Sequence, residues 1–207
     1  DIAPHDGTAR LRYLGVDVFL GQGTFKAADR LEVGGAGLRF SRALIATGAR
    51  AVILPIPGLA ETRPLTNETL FSLTEAPRRL CVIGAGPIGC EMDQAFRRLG
   101  SEVVVLNDVA HVLPREDPDA AAVLQNRLVA EGVLLLQSVK ILRVEAQGLE
   151  KAVHFEMGEK AESVTADQIL LSVGRAPNME GRGLAAAGGA STRQGVTVDD
   201  CFRTSNP

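Results

Sequence analysis

Apolar positions along this chain change period partway through, and the change divides it. Residues 1 to 13 are polar and turn-rich, with Pro4 and Gly7, and residues 10 to 14 read as the end of a short helix. Between Val16 and Gly48 apolar residues come in short runs, at 16–20, 30–33 and 38–45, separated by Gly21-Gln22-Gly23 and Gly34-Gly35-Ala36-Gly37. Runs of that length broken by glycine predict a three-stranded meander. Pro55, Pro57 and Pro64 then mark an extended crossing segment, and Thr66-Asn67-Glu68 opens a short helix through Leu73. From Leu80 onward strand-like and helix-like periods alternate, which predicts a parallel sheet with helices on its faces. The strands are read at 80–83, 103–106, 133–136 and 168–173. The first helix follows Gly89, with Ile88, Met92, Ala95, Phe96 and Leu99 on its buried face and Gly100 as its stop. Asp117-Pro118 is a cap and first turn for the second helix, which runs to about Glu131. Residues 141–145 and 151–157 alternate as a surface hairpin, 184–187 read as a small helix and 196–198 as a short strand. His154 falls on the polar face of the hairpin.

The stretch Leu80-Cys81-Val82-Ile83-Gly84-Ala85-Gly86-Pro87-Ile88-Gly89 carries the most chemistry, because a buried strand runs directly into a Gly-x-Gly-x-x-Gly turn and then a helix. Gly84 lets the backbone bend off the strand, Gly86 lets a pyrophosphate approach the main chain, and Gly89 lets the helix pack close to the sheet. The unpaired N–H groups and the dipole of that helix favour an anion without help from a basic side chain. The second strand ends at Asn107-Asp108, near the spacing at which such sites place a ribose-binding residue.

Composition narrows the reading without redirecting it. With 45% apolar residues the 207-residue chain has enough apolar mass for a substantial core in one or two domains. A net charge of −3 with no Lys/Arg run argues against nucleic acid as a partner. No run approaches the length of about 20 apolar residues that spans a bilayer, so no membrane association is expected and the cytoplasm is the expected setting. Cys81, Cys90 and Cys201 are odd in number and unclustered, which fits neither a disulfide framework nor a metal site; small buried residues are the expected role of the first two. No metal ligands are assigned. An initial Asp1 and a tail of Thr204-Ser205-Asn206-Pro207 read as a piece of a longer chain.

Taken together, Ala46-Thr47-Gly48, the glycine turn with Cys90-Glu91 behind it, and Gly174-Arg175-Ala176-Pro177-Asn178 resemble the pyridine nucleotide-disulfide oxidoreductases, above all their mercuric reductase-like and dihydrolipoamide dehydrogenase-like members. The motifs stand in that family's order, and the resemblance covers nearly the whole chain. It implies an α/β fold in which a Rossmann-like NAD(P)-binding domain with a parallel sheet and a β-meander occupies residues 77–176. Residues 1–76 would be part of an FAD-binding domain with its meander and linker, and 177–207 a segment returning to that domain. The full-length protein implied is a homodimer, with nicotinamide dinucleotide and FAD as its cofactors.

Residue by residue, the resemblance assigns Gly84, Gly86, Pro87, Ile88 and Gly89 to the pyrophosphate turn and Glu91 to the nicotinamide end. Gly174 would line the nicotinamide pocket, and the backbone of Lys140 would meet the adenine. Gly23, Ala46, Thr47 and Gly48 would give main-chain contacts to FAD. Asn107 and Asp108 occupy the position that separates NAD from NADP. A carboxylate about 4 Å from a 2′-phosphate costs roughly 4 kcal/mol per unit charge at an effective dielectric near 20, so Asp108 favours NAD, with NADP the alternative if His111 and Arg115 fold back over the ribose. No catalytic residue is assigned, because the family's redox cysteine pair, flavin motifs and catalytic His and Glu have no counterpart in the 207 residues. The expected function is therefore the NAD(P)H-binding portion of an FAD-dependent oxidoreductase that passes hydride to flavin and then to a cysteine pair and a disulfide or metal-ion substrate. The piece alone is expected to be inactive. Two alternatives stand beside this: a non-catalytic dinucleotide-binding module, and a flavoprotein reductase or NADH oxidase without redox cysteines.

Overall fold

The computed structural model describes residues 7–206. In chain order its elements begin with α1 (Thr8–Tyr13), β1 (Thr24–Ala27), β2 (Arg30–Val33), β3 (Ala36–Arg39) and β4 (Ala49–Ala51). Next come β5 (Arg79–Ile83), α2 (Pro87–Arg98), β6 (Glu102–Leu106), α3 (Pro118–Ala130) and β7 (Leu134–Leu136). The last are β8 (Val139–Gln147), β9 (Glu150–Met157), β10 (Lys160–Ala166), β11 (Gln168–Leu171), β12 (Arg175–Pro177), β13 (Ser191–Thr192) and β14 (Gly195–Val196). Two compact units result, one of residues 50–175 and one of residues 1–49 with 176–207. Among the described residues no helix is long and apolar enough to cross a membrane.

In the unit of residues 50–175, a parallel sheet of order β11-β5-β6-β7 carries α2 and α3 between its strands. β5 shows why its sequence is apolar without alternation. Leu80 and Val82 enter one cluster with Cys90 and Phe96 of α2, Val103 and Val105 of β6, and Ala121 and Leu128 of α3. Cys81 and Ile83 enter another with Val144, Val153 and Phe155 of the antiparallel sheet and with Ile169 and Leu171. Both faces of the parallel sheet are covered, so each position from Leu80 to Ile83 gains from being apolar. Cys81 and Cys90 therefore lie on opposite sides of the sheet, and burial pushes each thiol up to about 12.

Local chemistry fixes the helix ends. Asp117 caps α3 by accepting from the N–H of Asp119 at 2.9 Å and of Ala120 at 3.3 Å, with Pro118 in the first turn. α2 begins without a side-chain cap at Gly86. Near the C-terminal ends of both helices Glu131 accepts from Arg98 at 2.7 and 2.8 Å and from Arg127 at 2.5 Å. Those guanidinium groups, Arg98 foremost, hold its carboxyl down at about 2. At the same end of the parallel sheet, Arg79 joins the starts of three strands: its side chain reaches Asp167 at 2.5 Å and Glu150 at 2.6 Å, and its N–H donates to Asp167 at 2.9 Å.

The antiparallel sheet β10-β9-β8 departs from the expected two-stranded hairpin by adding β10, which pairs with β9 along its whole length. Its residues are mostly exposed, so the sequence lacks the alternation that would have marked a strand. The helix expected through Leu73 is a single 3-10 turn, Leu70–Ser72. The buried face of α2 is also rotated from the expected one: Gly89, Cys90, Asp93 and Phe96 point inward, while Leu99 is 69% exposed.

The second unit contains α1, the β1-β2-β3 sheet and the β13-β14 hairpin. Its meander has the expected three strands but starts at Thr24, because residues 16–20 form no strand. Val16, Phe19 and Leu20 stay 47%, 48% and 71% exposed and pair with no strand among the described residues. The third strand stops at Arg39, short of the expected 45. Residues 184–187 are turns closed by Ala187 N–H to Gly183 O, in place of a helix; the segment is too short and glycine-flanked to propagate one. The turn-rich residues 1–6 and the tail residue Pro207 lie outside the described residues.

Candidate functional site

A cleft of about 880 Å³ opens over the carboxyl ends of the parallel strands in the unit of residues 50–175. It lies where the order of strands reverses, between β5 with its successors β6 and β7 on one side and β11 on the other. That is the position at which open α/β sheets bind ligands. Its floor is Ile83, Gly84, Ala85, Gly86, Pro87 and Ile88, and its rim includes Asn107, Asp108, Arg115, Lys140, Ser172 and Gly174.

The glycine turn shows why side chains are excluded from it. Gly84 sits at φ +96°, and a Cβ there would meet Ser172 O at 2.9 Å. A Cβ on Gly89 would overlap Gly84 O and come within 2.7 Å of Ser172 Oγ. Gly84 N–H donates to Leu106 O at 2.9 Å, so the turn leaves the sheet at a fixed point. Because Gly86 lends α2 no side-chain cap, the first N–H groups of that helix are left for water or an anion.

The loop after β6 folds back to the turn. Leu113 N–H donates to Ala85 O at 2.8 Å, Val112 beside it is wholly buried, and Asn107 Nδ2 ties the loop from within through Val109 O at 3.1 Å and His111 O at 3.0 Å. This geometry puts Arg115 on the cleft rim with Asp108. His111 Nδ1 instead meets Val112 O at 2.8 Å. The amide of Asn107 is committed to holding the loop, which leaves Asp108 as the exposed polar group at that strand end.

Of the residues expected from the sequence, Gly84, Gly86, Pro87, Ile88, Asn107, Asp108, Lys140 and Gly174 line this one cleft. Gly89 packs beneath it, and Glu91 is exposed on α2 away from the lining. Gly23, Ala46, Thr47 and Gly48 belong to the other unit. There Thr47 Oγ1 donates to Asn178 O at 2.9 Å, Asn178 Nδ2 donates to Thr47 O at 3.1 Å, and Gly48 turns at φ +69°. The sequence reading missed Leu54, Pro55 and Ile56, which form part of the cleft wall, and Ser172. The prolines marked the first group as linker, and nothing in the local sequence announces the second.

Further along α2, Asp93 is fully buried, and neither of its carboxylate oxygens has a hydrogen-bond partner among the described residues. Burial pushes its carboxyl up to about 7.

A strand-to-helix glycine turn at the switch point of a parallel sheet, beneath a cleft of this size, has the architecture of the dinucleotide-binding class of α/β domains. Residues 7–207 match the family described as pyridine nucleotide-disulphide oxidoreductase, and the chain belongs to it. This is a family of FAD-dependent, NAD(P)-using oxidoreductases. The chain is 36% identical over 191 residues to a mercuric reductase of Lysinibacillus sphaericus, covering 92% of this chain and 35% of that protein. It is 29% identical over 201 residues to a dihydrolipoyl dehydrogenase of Acholeplasma laidlawii, covering 95% and 58%. The solved structure of the HOCl-induced flavoprotein disulfide reductase RclA from Escherichia coli superposes with a TM-score of 0.84 at 30% identity, over 92% of this chain and 43% of that one. The chain thus spans between a third and three-fifths of the length of these relatives.

Proposed function

We propose that residues 50–175 bind the nicotinamide dinucleotide of an FAD-dependent oxidoreductase, and that the whole protein uses it to reduce a flavin and then a disulfide or metal ion. The observation that carries this is the uncapped start of α2 facing a cleft whose floor is cleared of side chains at Gly84 and Gly86. NAD(P)H supplies a hydride when bound, and FAD accepts it. The chain's own part is to hold and orient: the turn and the first N–H groups of α2 take the pyrophosphate, Asp108 takes the adenosine ribose, Lys140 flanks the adenine, and Gly174 leaves room for the nicotinamide. Glu91 is the residue we assign to the nicotinamide end on family resemblance. Gly23 and the turn of Ala46, Thr47 and Gly48 are the main-chain FAD contacts.

On the same reading the full-length enzyme is a cytoplasmic homodimer without nucleic-acid or membrane partners, and a net charge of −3 supports the absence of a polyanionic one. Titration of the 207-residue protein with NADH, followed by calorimetry, tests the proposal. Saturable binding with Kd between about 1 μM and 1 mM is expected, together with no reduction of dichlorophenolindophenol or mercuric ion by the piece alone. Failure to bind either NADH or NADPH would overturn the site, and turnover by the 207 residues would overturn the division of labour.

A further inference from the structure

Ser172 stands one residue beyond β11, where the parallel ladder gives out, and its polar atoms reach across to the glycine turn. Its N–H donates to Ile83 O at 2.9 Å, which extends the ladder by one step. Its hydroxyl oxygen lies 2.5 Å from Gly84 O and 3.0 Å from Ile83 O. The carbonyl of Gly84 needs such a donor. At φ +96° the chain has left the strand, and this carbonyl is folded under Gly89, where a Cβ would overlap it. The hydroxyl of Ser172 is the donor that reaches it there.

We propose that Ser172 is a positioning residue for the dinucleotide turn, an inference that rests on the reading of the cleft as a dinucleotide site. The peptide group is planar, so fixing the carbonyl of Gly84 also fixes the N–H of Ala85 on the other side of the bond and, through it, the entry of the chain into α2. Ala85 O is held from the opposite direction by Leu113 N–H at 2.8 Å. The turn is therefore clamped twice, once from β11 by a side chain and once from the loop after β6 by the backbone. Ser172 supplies the adjustable half of that clamp, and glycine at position 89 is what lets Ser172 Oγ and Gly84 O approach each other.

Removing the hydroxyl leaves the Gly84 peptide free to rotate and its carbonyl unsatisfied, so the turn must be ordered anew each time a pyrophosphate binds. The test uses Ser172→Ala and Ser172→Thr in the 207-residue protein, with Thr keeping the hydroxyl. In the ligand-free protein, S172A is expected to speed amide exchange by about tenfold at Ala85, Gly86 and Ile88 while leaving β6 and β9 unchanged. For NADH and for ADP-ribose, which share the pyrophosphate, Kd is expected to rise about tenfold in S172A and to return to within about threefold in S172T. Unchanged exchange at the turn together with an unchanged NADH Kd in S172A would overturn the proposal. So would faster exchange spread evenly over the sheet, which marks general loosening. If the unsubstituted protein binds no nucleotide, the site reading fails, while exchange at Ala85 and Gly86 still decides whether Ser172 holds the turn.

Discussion

Asp93 is a carboxylate that the core has to tolerate rather than use. It lies fully buried one helical turn past Gly89, with Cys90 close by, and burial, followed by the charge of Asp93, raises the Cys90 thiol. An unfolded aspartate titrates near 3.9, whereas in the fold Asp93 titrates at about 7. The native state thus binds this proton more tightly than the unfolded state does. The stability it contributes is fully present below about pH 4, declines as pH rises toward 7, and is gone above that, a loss of about 2–4 kcal/mol. Glu131 and Asp167 have lowered values and act in the other sense, but their windows lie below about pH 4.5. Between pH 5 and pH 8 the decline therefore belongs to Asp93. Urea midpoints should fall across that range in the unsubstituted protein and stay level in Asp93→Asn, with the variant the more stable of the two at pH 8. Equal slopes for both proteins would show that Asp93 reaches water or a partner. At the cleft rim the charges are balanced differently, because Asp108 and Arg115 face the same space. Asp108→Asn should tighten NADPH by about fivefold and weaken NADH by about fivefold, since the ribose hydroxyls lose a charged acceptor, and Arg115→Ala should weaken NADPH more than NADH. NADPH bound more tightly than NADH by the unsubstituted protein would show that Arg115 outweighs Asp108.

At the scale of elements, the β5–turn–α2 unit is the least tolerant of change. Gly89→Ala adds a single methyl that must overlap Gly84 O and press on Ser172 Oγ, and the contact is with backbone, which cannot step aside. Relief requires α2 to move off the sheet, at a cost of about 1–3 kcal/mol in stability and more than tenfold in NADH affinity; a thermal midpoint and a calorimetric Kd within error of the unsubstituted protein would contradict this packing. The same unit was legible from sequence because each of its determinants is local. β5 is apolar from Leu80 to Ile83 since both faces are covered, and the turn is spelled by its glycines; the Asp117 cap of α3 is legible for the same reason. Elements whose identity depends on distant partners were not legible. The run at 16–20 has strand composition but no strand to pair with, and β10 has a strand partner but an exposed, non-alternating sequence. Asp93 faces inward from a helix whose sequence period pointed to Met92, because the close approach at Gly89 sets the rotation of α2. The hydroxyl of Ser172 meets Gly84 across 88 positions of chain, a distance no local pattern encodes.

The whole molecule divides its apolar burial unequally, and this has consequences for how it unfolds. Both large clusters lie within residues 50–175, where Val82, Val105, Leu128, Val153, Ile169 and Leu170 are completely enclosed. In the other unit, Val33, Leu184 and Ala187 are the buried apolar residues among those described, while Tyr13, Leu44 and Phe202 are 89%, 90% and 84% exposed. At about 25 cal/mol per Å² of apolar surface removed from water, the smaller core offsets far less chain entropy than the larger one does. Amide exchange should therefore be fast throughout β1, β2 and β3 and slow in β5, β6 and β11, with heating giving two transitions rather than one. Ligand linkage then provides an internal control. NADH at 100 times its Kd should stabilise the unit that binds it by about 2.7 kcal/mol, which raises the upper transition and adds protection at residues 84–90 and 107–116. The lower transition should stay where it was, since the described residues that line the cleft all belong to the unit of residues 50–175. A single transition that NADH moves as a whole would mean that the two cores unfold as one cooperative body.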